Sequence, residues 1–338
     1  MISRRSFAAV ALAAALSACA RAPASSGRSD AAVVRFSILS AESNESMGKY
    51  WAPIIADMKA ATGLDIEPYF STNYTALIEA MRFKKTDAGW FSNQSGLEAV
   101  RRADGEVFAR TFDPSGVDGY KSVLIVNAKS KLSLDKVLKC DRTLTFGLGD
   151  ILSTSGTLAP MAYLFAPRDI RPATCFKQVR RANHQTNLFA VAAGQLDVAT
   201  NNSTSILLNR QHGRPEADEV RVIWESPTLP EDPIIWRKDL DPAIKEKLRQ
   251  FFLTYGQGDT PQAAAQRANM AKINIGGFKA ADDGHLLPVR EMEATNLWEE
   301  AKQGGDKAKI AAARKTLDAI TAQRVALEAR TRAPAAAQ

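Results

Sequence analysis

The chain has 338 residues, of which 44 are Lys or Arg, 37 are Asp or Glu, three are His and three are Cys. The basic residues behind its formal net charge of +7 are spread along the sequence, which argues against a nucleic-acid partner. Once an N-terminal segment is removed, roughly 300 residues remain, enough for two lobes or one large α/β domain.

The N-terminus has the features of an export signal. Two arginines precede an apolar run that ends in LSAC, residues 16–19. This small-residue site resembles the cleavage site of bacterial lipoproteins, so residues 1–18 are predicted to be a signal peptide and Cys19 to carry a lipid. Plain secretion is the alternative, and the Sec and twin-arginine routes both stay open. Residues 19–32 would form a lipid-attached linker on the periplasmic side of a bacterial membrane.

The other two cysteines predict a disulfide. Cys140 and Cys175 form an even pair in an oxidising compartment, although two unpaired buried thiols are the alternative. Their spacing does not fit a zinc site, and only His184, His212 and His285 supply imidazole. We therefore expect no metal and no cofactor. No later segment reaches 18 consecutive apolar residues, so the lipid alone would attach the protein to a membrane.

Strand-like and helix-like runs alternate from residue 33 onward. VVRFSIL, residues 33–39, is typical of a strand, and the amphipathic run that follows it predicts a helix ending at Gly63. A second strand and helix follow, and the pattern resumes at TLTFGLG, residues 143–149, and at CFKQVRR, residues 175–181. This alternation predicts an α/β fold with a mostly parallel sheet.

Two segments of the chain share one plan. Residues 74–93 and 184–202 each contain a polar helix start, an amphipathic helix, a short turn, an aspartate and a strand end with Asn. Asp87 and Asp197 hold matching places. The repeat predicts two lobes built alike, although a generic βαβ repeat would produce much of the same pattern.

Two β-like runs beside turn residues could carry the chain between the lobes, over residues 119–127 and 220–236. Lobe one would then comprise residues 33–122 with 230–290, and lobe two residues 123–229. A chain that crosses out and back is typical of a hinged binding protein, which grips its ligand in the cleft as the lobes close.

The C-terminal region differs in composition from the rest. Ala, Lys, Glu, Leu and Arg dominate residues 291–330, which predicts a helical extension with a break at Gly304 and Gly305. Its apolar stripe comprises Leu317, Ile320, Val325 and Leu327. The extension could pack on its own lobe or form a homodimer. Residues 331–338 are expected to be disordered.

The sequence STSG, residues 153–156, lies where a strand-like run gives way to a helix. The first turn of a helix has unpaired N–H donors and a partial positive charge, so Ser153, Thr154 and Ser155 are predicted to form an oxyanion site. An ordinary N-cap would explain only one of the three hydroxyls. The sequence lacks a Gly-x-Ser-x-Gly elbow, and no Lys follows the glycines, which disfavours a hydrolase and a nucleotide-binding loop.

Four ordered motifs resemble a known family: GLGDILSTSGTLAP, NHQTN, DVATNN and SPTLPEDPIIWRKDL. They are similar to the phosphonate- and phosphite-binding proteins of bacterial ABC importers, over about residues 36–290. The resemblance implies a two-lobed type II periplasmic-binding-protein fold and a solute receptor, not an enzyme, that delivers a small phosphonate or phosphite to an ABC permease in the inner membrane. A sensor for a membrane partner and a hydrolase of phosphorylated compounds are the alternatives.

The resemblance also implies a role for each matching residue. The residues implied to hold the phosphonate oxygens are Tyr74, Ser153, Thr154, Ser155 and His184. Tyr120 would form a wall of the pocket near the hinge. Asp232 would face the far end of the ligand, where members of the family bind an amino group.

One position departs from the family pattern. Members that bind aminoalkylphosphonates carry Glu where this chain has Thr204, so a carboxylate at the amine end is missing. A hydrogen bond to a charged group is worth about 1.5 to 3 kcal/mol, which predicts a weaker preference for 2-aminoethylphosphonate. Phe91, where relatives often have Tyr, would make the pocket less polar if it lines it. Trp90 is expected to pack at a strand end without touching the ligand.

Overall fold

A computed structural model describes residues 32–115 and 118–332. The predicted signal peptide, Cys19 and nearly all of the predicted linker lie outside the described residues, as do residues 333–338. Among the helices in the described ranges, none is long and apolar enough to cross a membrane.

Two sheets organise the described residues. The strands of the first sheet are β1 (Val33–Ile38), β2 (Asp65–Phe70), β3 (Ala88–Trp90), β4 (Gly105–Phe112), β10 (Pro233–Arg237) and β11 (Gly277–Ala280). The strands of the second sheet are β5 (Ser122–Asn127), β6 (Thr145–Leu148), β7 (Gln178–Arg181), β8 (Val198–Asn202) and β9 (Val220–Glu225). Each sheet forms the centre of one lobe.

The five strands of the second sheet, β9, β5, β8, β6 and β7, are arranged like β4, β10, β3, β1 and β2 of the first. The first runs β11-β4-β10-β3-β1-β2, and the second runs β9-β5-β8-β6-β7. Strand β1 pairs in parallel with β2 and β3, and β6 pairs in parallel with β7 and β8. The other pairs are antiparallel, so the expectation of a mostly parallel sheet is wrong. The sheets are mixed because β10 and β5 enter from the crossover segments and run against β3 and β8.

Asp87 and Asp197 make equivalent contacts in the two lobes. The Oδ2 atom of Asp87 accepts a hydrogen bond from the backbone N of Arg35 at 2.8 Å, and that of Asp197 accepts one from Thr145 at 2.7 Å. Each aspartate thus ties the turn before β3 or β8 to β1 or β6. The matching places in the sequence have matching structural functions, which a generic βαβ unit does not require.

Helices pack on both sheets. They are α1 (Asn44–Thr62), α2 (Tyr74–Arg82), α3 (Asn93–Arg102), α4 (Leu134–Val137), α5 (Pro172–Cys175), α6 (His184–Ala192), α7 (Ser203–Gln211), α8 (Pro242–Thr254), α9 (Pro261–Ala271), α10 (Leu287–Gly304) and α11 (Lys307–Arg332). The chain also forms 3₁₀ turns at Ala166–Arg168, Pro215–Ala217 and Asp283–Leu286. Helix α1 ends where predicted, because Gly63 adopts the left-handed conformation at φ 66°.

The segment between β6 and α5 differs from an ordinary helix. It contains two π-helical stretches, Thr154–Leu158 and Met161–Phe165. Such stretches are rare and occur frequently at functional sites. The strand predicted over residues 175–181 begins only at Gln178, because Cys175 ends the short helix α5.

Each lobe has an aromatic core. Phe36 of β1 contacts Trp51 and Phe252 in the first lobe, and Phe146 of β6 stacks on Phe176 in the second, with ring centroids 4.3 Å apart. Beside the second core, Cys140 and Cys175 are joined by a disulfide, as predicted.

Two segments carry the chain between the sheets. Residues 113–121 connect β4 to β5, and residues 226–232 connect β9 to β10. They lie side by side, since Tyr120 N donates to Leu229 O at 3.1 Å and Leu229 N donates to Tyr120 O at 2.7 Å. The predicted fold class, two α/β lobes with a C-terminal helical extension, is confirmed.

The extension folds back on itself. Helices α10 and α11 meet at Gly305 and pack together, with Glu291 of α10 accepting hydrogen bonds from Thr321 and Arg324 of α11. Ile320 is buried in this contact, whereas Val325 is 52% exposed and does not belong to the packed stripe. The packing favours the alternative in which the extension covers its own chain, and the homodimer stays a prediction.

Candidate ligand-binding site

The cleft between the lobes contains a cavity of about 70 Å³, which suits a ligand of few heavy atoms. The residues with a predicted ligand or specificity role that line it are Tyr74, Tyr120, Ser153, Ser155, His184, Thr204 and Asp232. They come from both lobes and from both crossover segments. The structure therefore brings together side chains separated by up to about half of the chain length in sequence.

Hydroxyl groups and an imidazole meet at one end of this cavity. Ser153 Oγ accepts a hydrogen bond from Gly156 N at 3.0 Å and so caps the helical segment that follows. Ser153 Oγ lies 3.5 Å and Ser155 Oγ lies 3.3 Å from Nε2 of His184. The N–H groups at the start of a helix have no helical carbonyl partner. This end of the cavity can therefore offer several donors to one anion.

Two glycines make this arrangement possible. Gly149, just after β6, donates its N–H to Gly156 O at 2.9 Å. A Cβ added to Gly149 would lie 2.5 Å from Gly156 Cα, closer than any real contact of this kind. The end of the strand thus packs directly against the start of the helical segment, and only glycine allows that approach.

His184 is neutral at neutral pH. It is the first residue of α6 and is 3% exposed. Burial lowers the pKa of its imidazole to about 4. Its Nδ1 atom has no hydrogen-bond partner among the described residues. A neutral imidazole carries one N–H group, so it can donate a hydrogen bond to a ligand without adding a positive charge.

The structure also places three other positions that the sequence analysis considered. Thr154 is buried, but its Oγ1 accepts a hydrogen bond from Gln94 N at 2.9 Å, and its side chain does not line the cavity. Phe91 packs in the first lobe and does not line it either. Trp90 ends β3 and packs against Trp51, as expected, but it also lines the cavity, and its Nε1 has no partner within the described part of the chain.

Three carboxyl groups line the rest of the cavity, and the sequence had identified only Asp232. The others are Glu42, after β1, and Glu231, next to Asp232. Burial raises the pKa of each glutamate to about 7. The pKa of Asp232 lies well above its usual range because of burial and, second, the charge of Glu231. None of the described lining residues is Lys or Arg.

Glu42 also joins the two lobes. It is 3% exposed, and it accepts hydrogen bonds from Ser205 Oγ at 2.5 Å and Asn209 Nδ2 at 3.2 Å, both on α7 of the second lobe. Ser43 N donates to Gln185 Oε1 nearby at 3.1 Å. The loop after β1 is therefore a point of contact between the lobes as well as a wall of the cavity.

Residues 36–286 match the family described as the periplasmic substrate-binding protein of phosphonate ABC transporters. The chain belongs to this family. One member, the phosphonates-binding periplasmic protein of Escherichia coli (strain K12), is 40% identical over 260 residues, which cover 77% of this chain and 75% of that protein. The family resemblance inferred from the four motifs is confirmed.

Solved structures of this kind of protein agree with the two-lobed fold. The binding protein component of an ABC phosphonate transporter from Pseudomonas aeruginosa aligns with a TM-score of 0.81 at 37% identity, covering 89% of this chain and 98% of that one. PhnD1 from Prochlorococcus marinus (MIT 9301), in complex with methylphosphonate, aligns with a TM-score of 0.67 at 19% identity, covering 77% and 96%. The second likeness supports the fold alone.

For this phosphonate-family protein, Glu42→Gln is expected to change how stability depends on pH. The pKa of Glu42 is about 7 in the folded protein against an ordinary 4.5, so the folded state holds a proton that the unfolded state releases. The contribution of this group to stability is full below pH 4.5 and is lost as the pH rises through 7. The free energy of unfolding of the variant, relative to that of the wild type, is therefore expected to rise by roughly 2 kcal/mol from pH 5 to pH 8.

Urea unfolding at the two pH values measures this difference. Glu45→Gln is the control, because Glu45 is exposed and its hydrogen bond with Lys49 lowers its pKa. The control should show no gain over the wild type at pH 8. Parallel stability curves for wild type and Glu42→Gln would contradict the prediction.

Proposed function

We propose that this chain captures a small phosphonate or phosphite on the periplasmic side of the inner membrane and delivers it to an ABC permease. One observation carries the proposal: Ser153, Ser155 and His184 converge with a helix start at one end of a small cavity between two lobes. Family membership supports the same function. The tetrahedral oxygens of the ligand would lie at this end.

The other lining residues have proposed roles in the same ligand pose. Tyr74 would donate its hydroxyl to the oxygens from the first lobe, and burial raises its pKa well above the usual range, so it keeps its proton. Tyr120 would form the wall near the crossover segments, and Asp232 would face the substituent on phosphorus. Thr154 would contribute its backbone N–H, since its side chain is engaged with Gln94.

The donors at the anion end are neutral dipoles. Neutral hydrogen bonds to a phosphonate give direction and selectivity for its oxygens, while each contributes less than a pairing of full charges. A receptor that must release its ligand to a permease needs such a reversible interaction. The use of neutral donors at this end also fits the neutral state of His184.

The pairs of Ser153 and Ser155 with His184 also look like a nucleophile beside a base. A base of that kind is normally oriented by a carboxylate on its second nitrogen. In the described part of the chain, Nδ1 of His184 has no partner. This observation favours binding over hydrolysis.

The remaining proposals concern location and organisation. We propose that Cys19 carries a lipid anchor and that residues 19–32 tether the body to the membrane. Lobe one would comprise residues 33–122 with 230–290, and lobe two residues 123–229. The extension over residues 291–330 would be available for a homodimer.

Calorimetry on the purified, processed protein tests the proposed function. We expect a dissociation constant in the micromolar range or tighter, about −8 kcal/mol or stronger, for methylphosphonate, phosphite or 2-aminoethylphosphonate, and weaker binding of inorganic phosphate. Absence of heat with all four, confirmed by unchanged thermal stability, would contradict phosphonate or phosphite capture.

A further inference from the structure

We propose that Glu231 is a specificity-determining residue that, with Asp232, forms an acidic wall selecting phosphonates that carry a protonated amine. This inference rests on the proposed function. It deepens that function by naming a specificity residue that the family pattern did not point to. Thr204 lacks the carboxylate that would favour an amine, and Glu231 would supply a carboxylate from the opposite lobe.

The position of Glu231 supports this role. It is half-buried, lines the cavity beside Asp232, and accepts a hydrogen bond from Thr111 Oγ1 at 3.2 Å. Thr111 is buried in β4 and lines the same cavity. The backbone O of Glu231 is fixed by Nε2 of His285 at 2.7 Å. The Thr111 contact therefore holds the carboxyl group at the wall, while the His285 contact fixes the backbone of the same residue.

The charges around the cavity give the physical reason. Glu42, Glu231 and Asp232 face a space whose described lining has no Lys or Arg. Arg110, whose charge acts on Glu231 from outside the cavity lining, is paired with Asp118 through both of its terminal nitrogens. While no cation is near, burial favours the protonated form of each carboxyl group, because an unpaired buried charge is costly. A ligand ammonium would supply the missing partner.

Thr204 shows why Glu231 matters in this chain. Thr204 lines the cavity from the start of α7 in the second lobe, and it carries no charge where related amine-binding proteins have Glu. Glu231 stands on the segment before β10, which belongs to the first lobe. The second carboxylate of the amine end is thus present, but it comes from the other side of the cleft.

The test compares two ligands of the same shape. Calorimetry measures 2-aminoethylphosphonate against n-propylphosphonate, in which a methyl group replaces the ammonium. In wild type we expect clear preference for the amine. Glu231→Gln should weaken binding of the amine about tenfold to a hundredfold and change binding of n-propylphosphonate by at most a few-fold. Thr204→Glu in the same variant should restore the preference.

The control is Glu225→Gln, which removes an exposed carboxylate at the end of β9, upstream of the segment that carries Glu231 and outside the cavity lining. It should leave both affinities unchanged. If Glu231→Gln keeps the wild-type ratio, or weakens both ligands equally, Glu231 does not select the amine, while phosphonate capture stands. If wild type binds neither ligand, the proposed function fails and this inference fails with it.

Discussion

Replacing Ser153 and Ser155 together with alanine is expected to weaken phosphonate binding by about a hundredfold to a thousandfold. Both hydroxyls lie in the cavity within 3.5 Å of His184 Nε2, at the start of a helical segment. Each hydrogen bond to a charged group contributes about 1.5 to 3 kcal/mol, and the two losses need not add fully. Calorimetry with methylphosphonate or 2-aminoethylphosphonate measures the effect.

The two serines make different hydrogen bonds within the protein, so the stability of each single variant is measured beside its affinity. Ser153 caps Gly156 N, so its loss should also lower stability by about 1 kcal/mol. Ser155 has no capping role, but its Oγ accepts a hydrogen bond from Asn202 Nδ2 at 3.2 Å, so Ser155→Ala should weaken binding and also lower stability by about 1 kcal/mol. Thr157→Ala is the control, since Thr157 bonds to Asp150 O outside the cavity lining. Affinity of the double variant within a few-fold of wild type would show that the oxyanion lies elsewhere.

A ligand bound in the cavity is expected to favour closure of the cleft. The anion end of the cavity belongs to the second lobe, while Tyr74, Asp232 and Glu231 approach from the first lobe and its crossover segment. A ligand that contacts both sides stabilises the closed arrangement by its differential affinity for it. Glu42 takes part in both functions, because it lines the cavity and bonds to α7. Changes at Glu42 are therefore expected to alter closure as well as the cavity wall.

Local features of the sequence predicted much of this architecture. Alternating patterns placed the strands and helices, and Gly63 marked a helix end, because these properties depend on neighbouring residues. The repeat around Asp87 and Asp197 predicted the similar lobes. The sequence could not specify strand direction in the sheets, since β5 and β10 take their orientation from crossovers that are set by the whole fold.

The sequence predicted those residues of the candidate site that match the family pattern. Family motifs pointed to residues of both lobes that line one cavity, yet Thr154 turns away because Gln94, 60 positions earlier, offers its backbone N–H. Trp90, Glu42 and Glu231 were missed, since nothing in their local sequence distinguishes a cavity wall from a strand end or an exposed acid. Their role depends on contacts between distant segments. The local signal for Glu231 was its position next to Asp232, which the sequence analysis had already assigned to the ligand pocket.

Gly149→Ala is expected to disturb both stability and ligand binding, because the new methyl group has no room. Its Cβ would lie 2.5 Å from Gly156 Cα and 2.9 Å from Gly156 C, both backbone atoms that cannot rotate away. The start of the helical segment must move, which displaces Ser153 and Ser155 from the cavity end. We expect a loss of about 3 kcal/mol in the free energy of unfolding and of about a hundredfold in affinity.

Gly147→Ala, two residues earlier and within β6, provides the matched control. Its Cβ would meet the side chains of Leu196 at 2.7 Å and Asn187 at 2.8 Å, which can adjust, and the Cβ of Ala199 at 2.9 Å, which requires a small shift of β8. These three nearest neighbours do not belong to the helical segment. This variant should also be destabilised, but its affinity for phosphonate should stay within a few-fold of wild type. Denaturant unfolding and calorimetry on both variants make the comparison. If both alanine substitutions lower affinity equally, ligand binding depends on the overall stability of the second lobe. If only Gly149→Ala lowers affinity, binding depends on where the end of β6 places the serine hydroxyls.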